Sequence, residues 1–131
     1  MKLRLSVIGC GGFARIFAES LADARDRVDL YFASRDLGRA KAYSDEFSGL
    51  GAFGSYEDAA ANSDIDAVYV CTPHDLHLEH TLLATAENKH ILLEKPIART
   101  IKEARAIISA ARDAGVKLMV SEIYRFLSPV L

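Results

Sequence analysis

Runs of strand length that mostly lack polar alternation are the feature that most narrows what this chain can fold into. They occupy residues 3–8, 28–33, 67–71 and 90–93, with a fifth at 117–120, and are rich in Val, Ile, Leu and Tyr. A strand solvated on one face alternates apolar and polar residues, whereas a strand covered on both faces reads as nearly continuous apolar sequence. Helical patterns lie between the runs. Phe13, Phe17, Leu21 and Ala24 fall on one helical stripe. Asp36 is placed to cap a helix carrying Ala40, Tyr43 and Phe47, which stops at Gly49 and Gly51. Ser55-Tyr56-Glu57-Asp58 opens a short helix ending near Asn62. Thr72-Pro73-His74-Asp75 offers a cap, a proline at the first helical position and an acid at the third. The helix it opens is expected to turn Leu78, Leu82 and Thr85 inward and to stop near Asn88. Thr100-Ile101-Lys102-Glu103 opens the last, with Ile101, Ala104, Ile108 and Ala111 inward and Gly115 at its end. A minor strand is expected at 51–54. This alternation predicts βαβ units, hence the α/β class with a doubly wound parallel sheet.

Gly9-Cys10-Gly11-Gly12-Phe13-Ala14 fits G-x-G-x-x-A, directly after the first strand and opening the first helix. Gly9 permits the tight turn, Gly11 lets backbone approach a pyrophosphate, and Ala14 lets helix and strand pack closely. The pyrophosphate would rest on the free N–H groups and positive end of the helix dipole. An isolated glycine pattern also serves ordinary turns, but here strand, helix and βαβ unit surround it, which predicts a Rossmann dinucleotide-binding fold. No G-x-x-x-x-G-K-[ST] run is present, which argues against a P-loop nucleotide triphosphatase. About 20 residues beyond such a loop an NAD site carries Asp or Glu for the ribose hydroxyl. Here that place holds Ser34 and Arg35, with Arg39 one turn on. A hydroxyl and guanidinium groups suit a 2′-phosphate, so NADP is expected over NAD. The alternative is that Asp36 turns onto the ribose rather than capping its helix.

Other functional classes are disfavoured. A net charge of −2 offers no electrostatic basis for a nucleic-acid or anionic-membrane partner, and no apolar run approaches the roughly 18 residues of a membrane span. Gly9 interrupts the first apolar run before a signal-peptide core can form. Two cysteines, Cys10 and Cys71, make no secreted disulfide framework, so a cytoplasmic protein is expected. The pair reads as small buried thiols rather than a redox couple. His74, His77 and His80 recur every three residues, but such spacing spreads them around a helix. Leu76 stands where H-x-x-E-H would need its first His. They read as exposed imidazoles, with no metal.

Taken together these residues resemble the Gfo/Idh/MocA oxidoreductases. The likeness rests on the glycine loop, on Cys71-Thr72-Pro73-His74 with His77, on Glu94-Lys95-Pro96, and on Tyr124-Arg125-Phe126 with Ser128-Pro129. It implies an NAD(P)-dependent dehydrogenase or reductase that moves hydride between the cofactor and a sugar, polyol or related small molecule. By resemblance, Thr72 and Pro73 line the nicotinamide ribose, His77 lies beside the cofactor, and Glu94 contacts the nicotinamide end. Lys95 faces the substrate as the catalytic residue, and the Lys95-Pro96 bond is often cis. His74 stands where the family commonly has Asn. Residues 1–121 are expected to form the dinucleotide-binding domain and 122–131 the start of a connection to a substrate and oligomerisation domain absent from this chain. Without that domain the chain is expected to bind cofactor but not to turn over substrate. Its apolar end favours association into a homo-oligomer. A stand-alone dinucleotide-binding or sensing module, and a partner-dependent subunit, are the alternatives.

Overall fold

The computed structural model describes residues 1–121. The connection expected at 122–131, including Tyr124, Arg125 and Phe126, lies outside the described residues. Strand β1 (Leu3–Ile8) leads into helix α1 (Gly12–Ser20), followed by β2 (Val28–Ala33), α2 (Leu37–Glu46), β3 (Gly51–Phe53) and α3 (Tyr56–Ala61). The second half runs β4 (Ala67–Val70), α4 (His77–Ala86), β5 (His90–Glu94), α5 (Ile101–Ala114) and β6 (Leu118–Ser121). The strands form one parallel sheet in the order β3-β2-β1-β4-β5-β6. This is the doubly wound Rossmann arrangement. Strand order reverses between β1 and β4, so a crevice opens beyond their carboxyl ends, where such folds bind ligands.

The two faces of the sheet carry separate cores. On one, Leu5, Val7, Leu30 and Phe32 pack with Ala14 and Ala18 of α1 and Ala40 and Tyr43 of α2. On the other, Ile8, Val68, Val70 and Leu93 pack with Ala59, Ala84 and Ile107 from α3, α4 and α5. Alanine recurs at these helix contacts because a small side chain lets a helix axis approach the sheet closely.

Several helix faces differ from the sequence expectation for that reason. In α1, Ala14 and Ala18 are buried, and Phe17 and Leu21 of the expected stripe pack against the same core, while Phe13 is 52% exposed. In α5 the inward residues are Ile107 and Ala111, and Ile101 and Ile108 face outward. In α4, Leu82 is exposed while His77, His80 and Thr81 are buried, because the two imidazoles find polar partners inside. Helix α2 ends earlier than its glycines suggest, turning at Ser48 with φ 55°. The caps are as expected at Asp36, Ser55 and Thr100, each accepting from the N–H three residues on. Thr72 caps nothing: its segment enters a 3-10 turn at His74–Leu76 without a side-chain cap. Among the described residues no helix is long and apolar enough to cross a membrane.

Candidate functional site

The turn from β1 into α1 is built around a conformation only glycine takes easily. Gly9 has φ +101°, and a Cβ there would lie 3.0 Å from Thr72 Cγ2. Its N–H donates to Ala33 O at 3.1 Å, tying the turn to the end of β2. Gly11 and Gly12 differ, because a Cβ at either would meet nothing within 4 Å. Gly11 caps α1 without any side-chain bond, and no acid sits in the first turn. The first bond of the helix runs from Arg15 N–H to Gly11 O. The N–H groups of Gly12 and Phe13, both exposed residues, therefore have no partner in the helix and lie at the positive end of its nine residues, with Ala14 buried behind them. Such a cradle fits a pyrophosphate. Tyr43 Oη donates to Gly11 O at 3.1 Å and steadies the loop; from sequence it reads only as a core aromatic.

Beside the loop lies a recess of about 330 Å³ whose lining includes Gly9, Gly11, Ser34, Arg35, Arg39 and Thr72. Ser34 is buried, and its hydroxyl accepts from Asp36 N–H at 3.1 Å. Asp36 spends its carboxylate on Arg39 N–H at 3.3 Å, as the cap of α2. Turning it onto a ribose would uncap that helix. Arg35 and Arg39 are exposed and supply the positive charge at this end.

An adjoining recess of about 310 Å³ shares Gly11, Cys71, Thr72 and Pro73 with the first and adds Phe13, His74 and Glu94. The two together form a groove with arginines at one end and a carboxylate at the other. Glu94 ends β5 half-buried, and Tyr69 Oη donates to its Oε2 at 2.5 Å. Lys95 and Pro96 follow at the exposed strand end, joined by a cis peptide bond.

His77 requires a correction. It lines neither recess; it is fully buried, with Nε2 3.1 Å from Thr72 O and Nδ1 2.9 Å from Pro96 O. It ties the strand end carrying Thr72 to the one carrying Lys95 and Pro96. His80 is also buried rather than exposed, its Nδ1 2.7 Å from Thr72 Oγ1, and burial holds its pKa below the usual imidazole value. Thr72 is thus gripped at its hydroxyl and at its carbonyl. His74 alone of the three is exposed. Among the described residues no group of three or more His, Cys, Asp or Glu could hold a metal ion.

Both cysteines are free. Cys71 Sγ donates to the carbonyls of Ile8 and Gly9, each at 3.3 Å, and Cys10 Sγ to Ala33 O at 3.5 Å. Burial pushes the Cys10 thiol up to about 11 and raises that of Cys71 as well. Neither is a thiolate at neutral pH, so neither suits a nucleophile's role. A larger hollow of about 630 Å³ lies at the opposite sheet end among Lys2, Arg25, Asp29 and Leu50. Most of its charges are engaged within the chain: Lys2 pairs with Asp29 at 3.4 Å, Glu46 with Arg15, and Arg25 donates to the carbonyls of Phe47 and Ser48. No binding motif converges there.

Known proteins place this groove in context. Residues 3–122 match the model of the Gfo/Idh/MocA group, described as an oxidoreductase family with an NAD-binding Rossmann fold. The D-xylose 1-dehydrogenase (NADP(+)) 2 of Haloferax volcanii is 34% identical over 95% of the chain and 38% of its own length. A 3-ketoreductase from Actinomadura kijaniata, solved with NADP and TDP-benzene, is 33% identical with a TM-score of 0.85, over 92% of this chain and 37% of that one. The WlbA dehydrogenase from Chromobacterium violaceum, solved with NADH and UDP-GlcNAcA, is 28% identical with a TM-score of 0.87, over 95% and 36%. The chain spans little more than a third of the length of each.

Proposed function

Because the chain belongs to the Gfo/Idh/MocA oxidoreductase family, we propose that residues 1–121 are the NADP-binding domain of a dehydrogenase or reductase. Its substrate is a sugar, polyol or related hydroxyl or carbonyl compound. The observation that carries this reading is the groove itself. An uncapped helix N-terminus and open space over Gly11 and Gly12 adjoin a recess that holds Arg35 and Arg39. The cofactor supplies hydride acceptance and donation; the chain positions it. Glycine-loop N–H groups hold the pyrophosphate, while Ser34, Arg35 and Arg39 hold the adenosine end with its 2′-phosphate. Thr72, gripped by the buried histidines, and Pro73 beside it line the ribose toward the nicotinamide. Lys95, exposed at the strand end, exchanges a proton with the substrate hydroxyl or carbonyl oxygen. The opposite wall of the reaction site is assigned to the portion of the relatives' length that this chain does not span. The preference for NADP follows from Asp36 being engaged as a cap while both arginines stay free of ion pairs among the described residues.

Calorimetric titration with NADP and NAD tests the reading, since the chain has no Trp to report binding. NADP is expected to bind more tightly, and Arg35→Asp to reverse the order by removing a charge-assisted contact worth about 1.5–3 kcal/mol. Equal affinities in the unmodified protein would refute the assignment.

A further inference from the structure

Tyr69 has no place in the binding scheme above, yet its hydroxyl ends on a group that lines the groove. It sits on β4, 2% exposed, with its ring packed at a 32° tilt against Phe17 of α1, 4.1 Å between centroids. In the sheet it pairs with Leu92, so Glu94, two residues on, projects from the same face of the next strand. The Tyr69 hydroxyl reaches along that face and donates to Glu94 Oε2. A buried tyrosine needs some acceptor for its proton. Here the acceptor is the acid in the lining of the Phe13–Glu94 recess. Burial, together with the Glu94 carboxyl, raises the Tyr69 pKa, so the hydroxyl remains a donor throughout the working range. One Glu94 oxygen is thereby fixed, which limits rotation of the carboxylate and leaves its other oxygen for the recess.

Resting on the assignment of this recess to the nicotinamide half, we propose that Tyr69 is the positioning residue that aims Glu94. We further propose that the pair makes the groove favour the oxidised, cationic nicotinamide ring over the reduced, neutral one. An oriented carboxylate attracts the pyridinium and has no such interaction with the dihydropyridine. The neighbouring cation, Lys95, is exposed and screened by water, so it offsets little of this attraction. Without the tyrosine hydroxyl, Glu94 is free to turn toward solvent, and its charge is averaged over several positions.

The experiment measures affinities of adenosine 2′,5′-bisphosphate, NADP⁺ and NADPH for the unmodified protein, Tyr69→Phe and Glu94→Gln. Adenosine 2′,5′-bisphosphate lacks the nicotinamide half and should bind all three proteins equally. The ratio of NADP⁺ to NADPH affinity should fall by about three- to tenfold in Glu94→Gln, the size of one partly screened charge contact. Tyr69→Phe should move it in the same direction, with a displaced carboxyl ¹³C resonance for Glu94. The Phe variant keeps the ring packed against Phe17, and Glu94→Gln leaves the core intact, so the two do not share one route to misfolding. An unchanged ratio in Tyr69→Phe, with the bisphosphate still bound, would overturn this inference alone. Failure of all three ligands to bind the unmodified protein would overturn the functional reading and this with it.

Discussion

Replacing Gly9 and Gly11 by alanine, one at a time, separates the two jobs of the glycine loop. At Gly9 the backbone has φ +101°, and an added Cβ would stand 3.0 Å from Thr72 Cγ2 and 3.4 Å from Thr72 N. Thr72 has little freedom to yield, because His80 holds its hydroxyl and His77 its carbonyl. A non-glycine residue in so sparse a region costs about 1–3 kcal/mol, and the crowding adds to it. For a domain of this size each kcal/mol is worth roughly 4 °C in Tm, so Gly9→Ala should melt about 4–12 °C lower from the backbone strain alone. At Gly11 the backbone is extended, φ −116° and ψ −159°, and a Cβ would meet nothing within 4 Å. Gly11→Ala should keep its Tm within about 2 °C, since no strain or clash is introduced. The methyl nevertheless enters the space from which phosphate oxygens would reach the N–H groups. Losing such a charge-assisted contact, worth about 1.5–3 kcal/mol, predicts NADP binding weaker by at least about tenfold. Differential scanning calorimetry reads the first effect and isothermal titration the second. An unchanged Tm in Gly9→Ala would refute the strain argument. Unchanged NADP affinity in a folded Gly11→Ala would show that no pyrophosphate approaches this backbone.

Two further outcomes follow from the neighbouring residues. In catalytically active protein, Lys95→Ala should lower kcat by about 10²–10⁴ while NADP affinity changes by less than about twofold; turnover kept within a factor of about two would make Lys95 an ordinary surface lysine. Burial lowers the pKa of His80 in the folded protein, so the unfolded chain binds more protons once pH falls below the ordinary imidazole value of 6.5. Stability should therefore be level above that pH and decline below it, down to the folded pKa. His80→Gln should flatten this decline in urea unfolding measured at stepped pH; an unaltered slope would assign it to other groups.

The features legible in the sequence are those whose cause lies within a few residues. Strands β1 and β2 occupy the predicted positions because an apolar run ends at Gly9 in one case and at Ser34 in the other. The caps at Asp36, Ser55 and Thr100 need only a side-chain oxygen and an N–H three residues away. Helix faces are legible only in part: Phe17 and Ala111 pack inward as the pattern predicts, but close approach to the sheet favours Ala14 and Ala18 over Phe13 in α1, and in α5 Ile107 is buried in place of Ile101 and Ile108. The supports of the groove were hidden for a different reason: their partners are distant in sequence. Tyr43 reaches Gly11 across 32 residues, Tyr69 reaches Glu94 across 25, and His77 reaches Pro96 across 19. Nothing local marks a tyrosine or histidine as the owner of such a bond, and spacing alone spreads the imidazoles over the helix surface. Once strand order is known, however, part of this becomes derivable. Parallel pairing of β4 with β5 sets Tyr69 opposite Leu92, and the two-residue repeat of a strand then puts Glu94 on the tyrosine's face. A buried hydroxyl on that face has a carboxylate within reach and must satisfy its proton. Sheet register therefore converts a motif residue, Glu94, into a pair, and the positioning role of Tyr69 follows from topology where local pattern alone was silent.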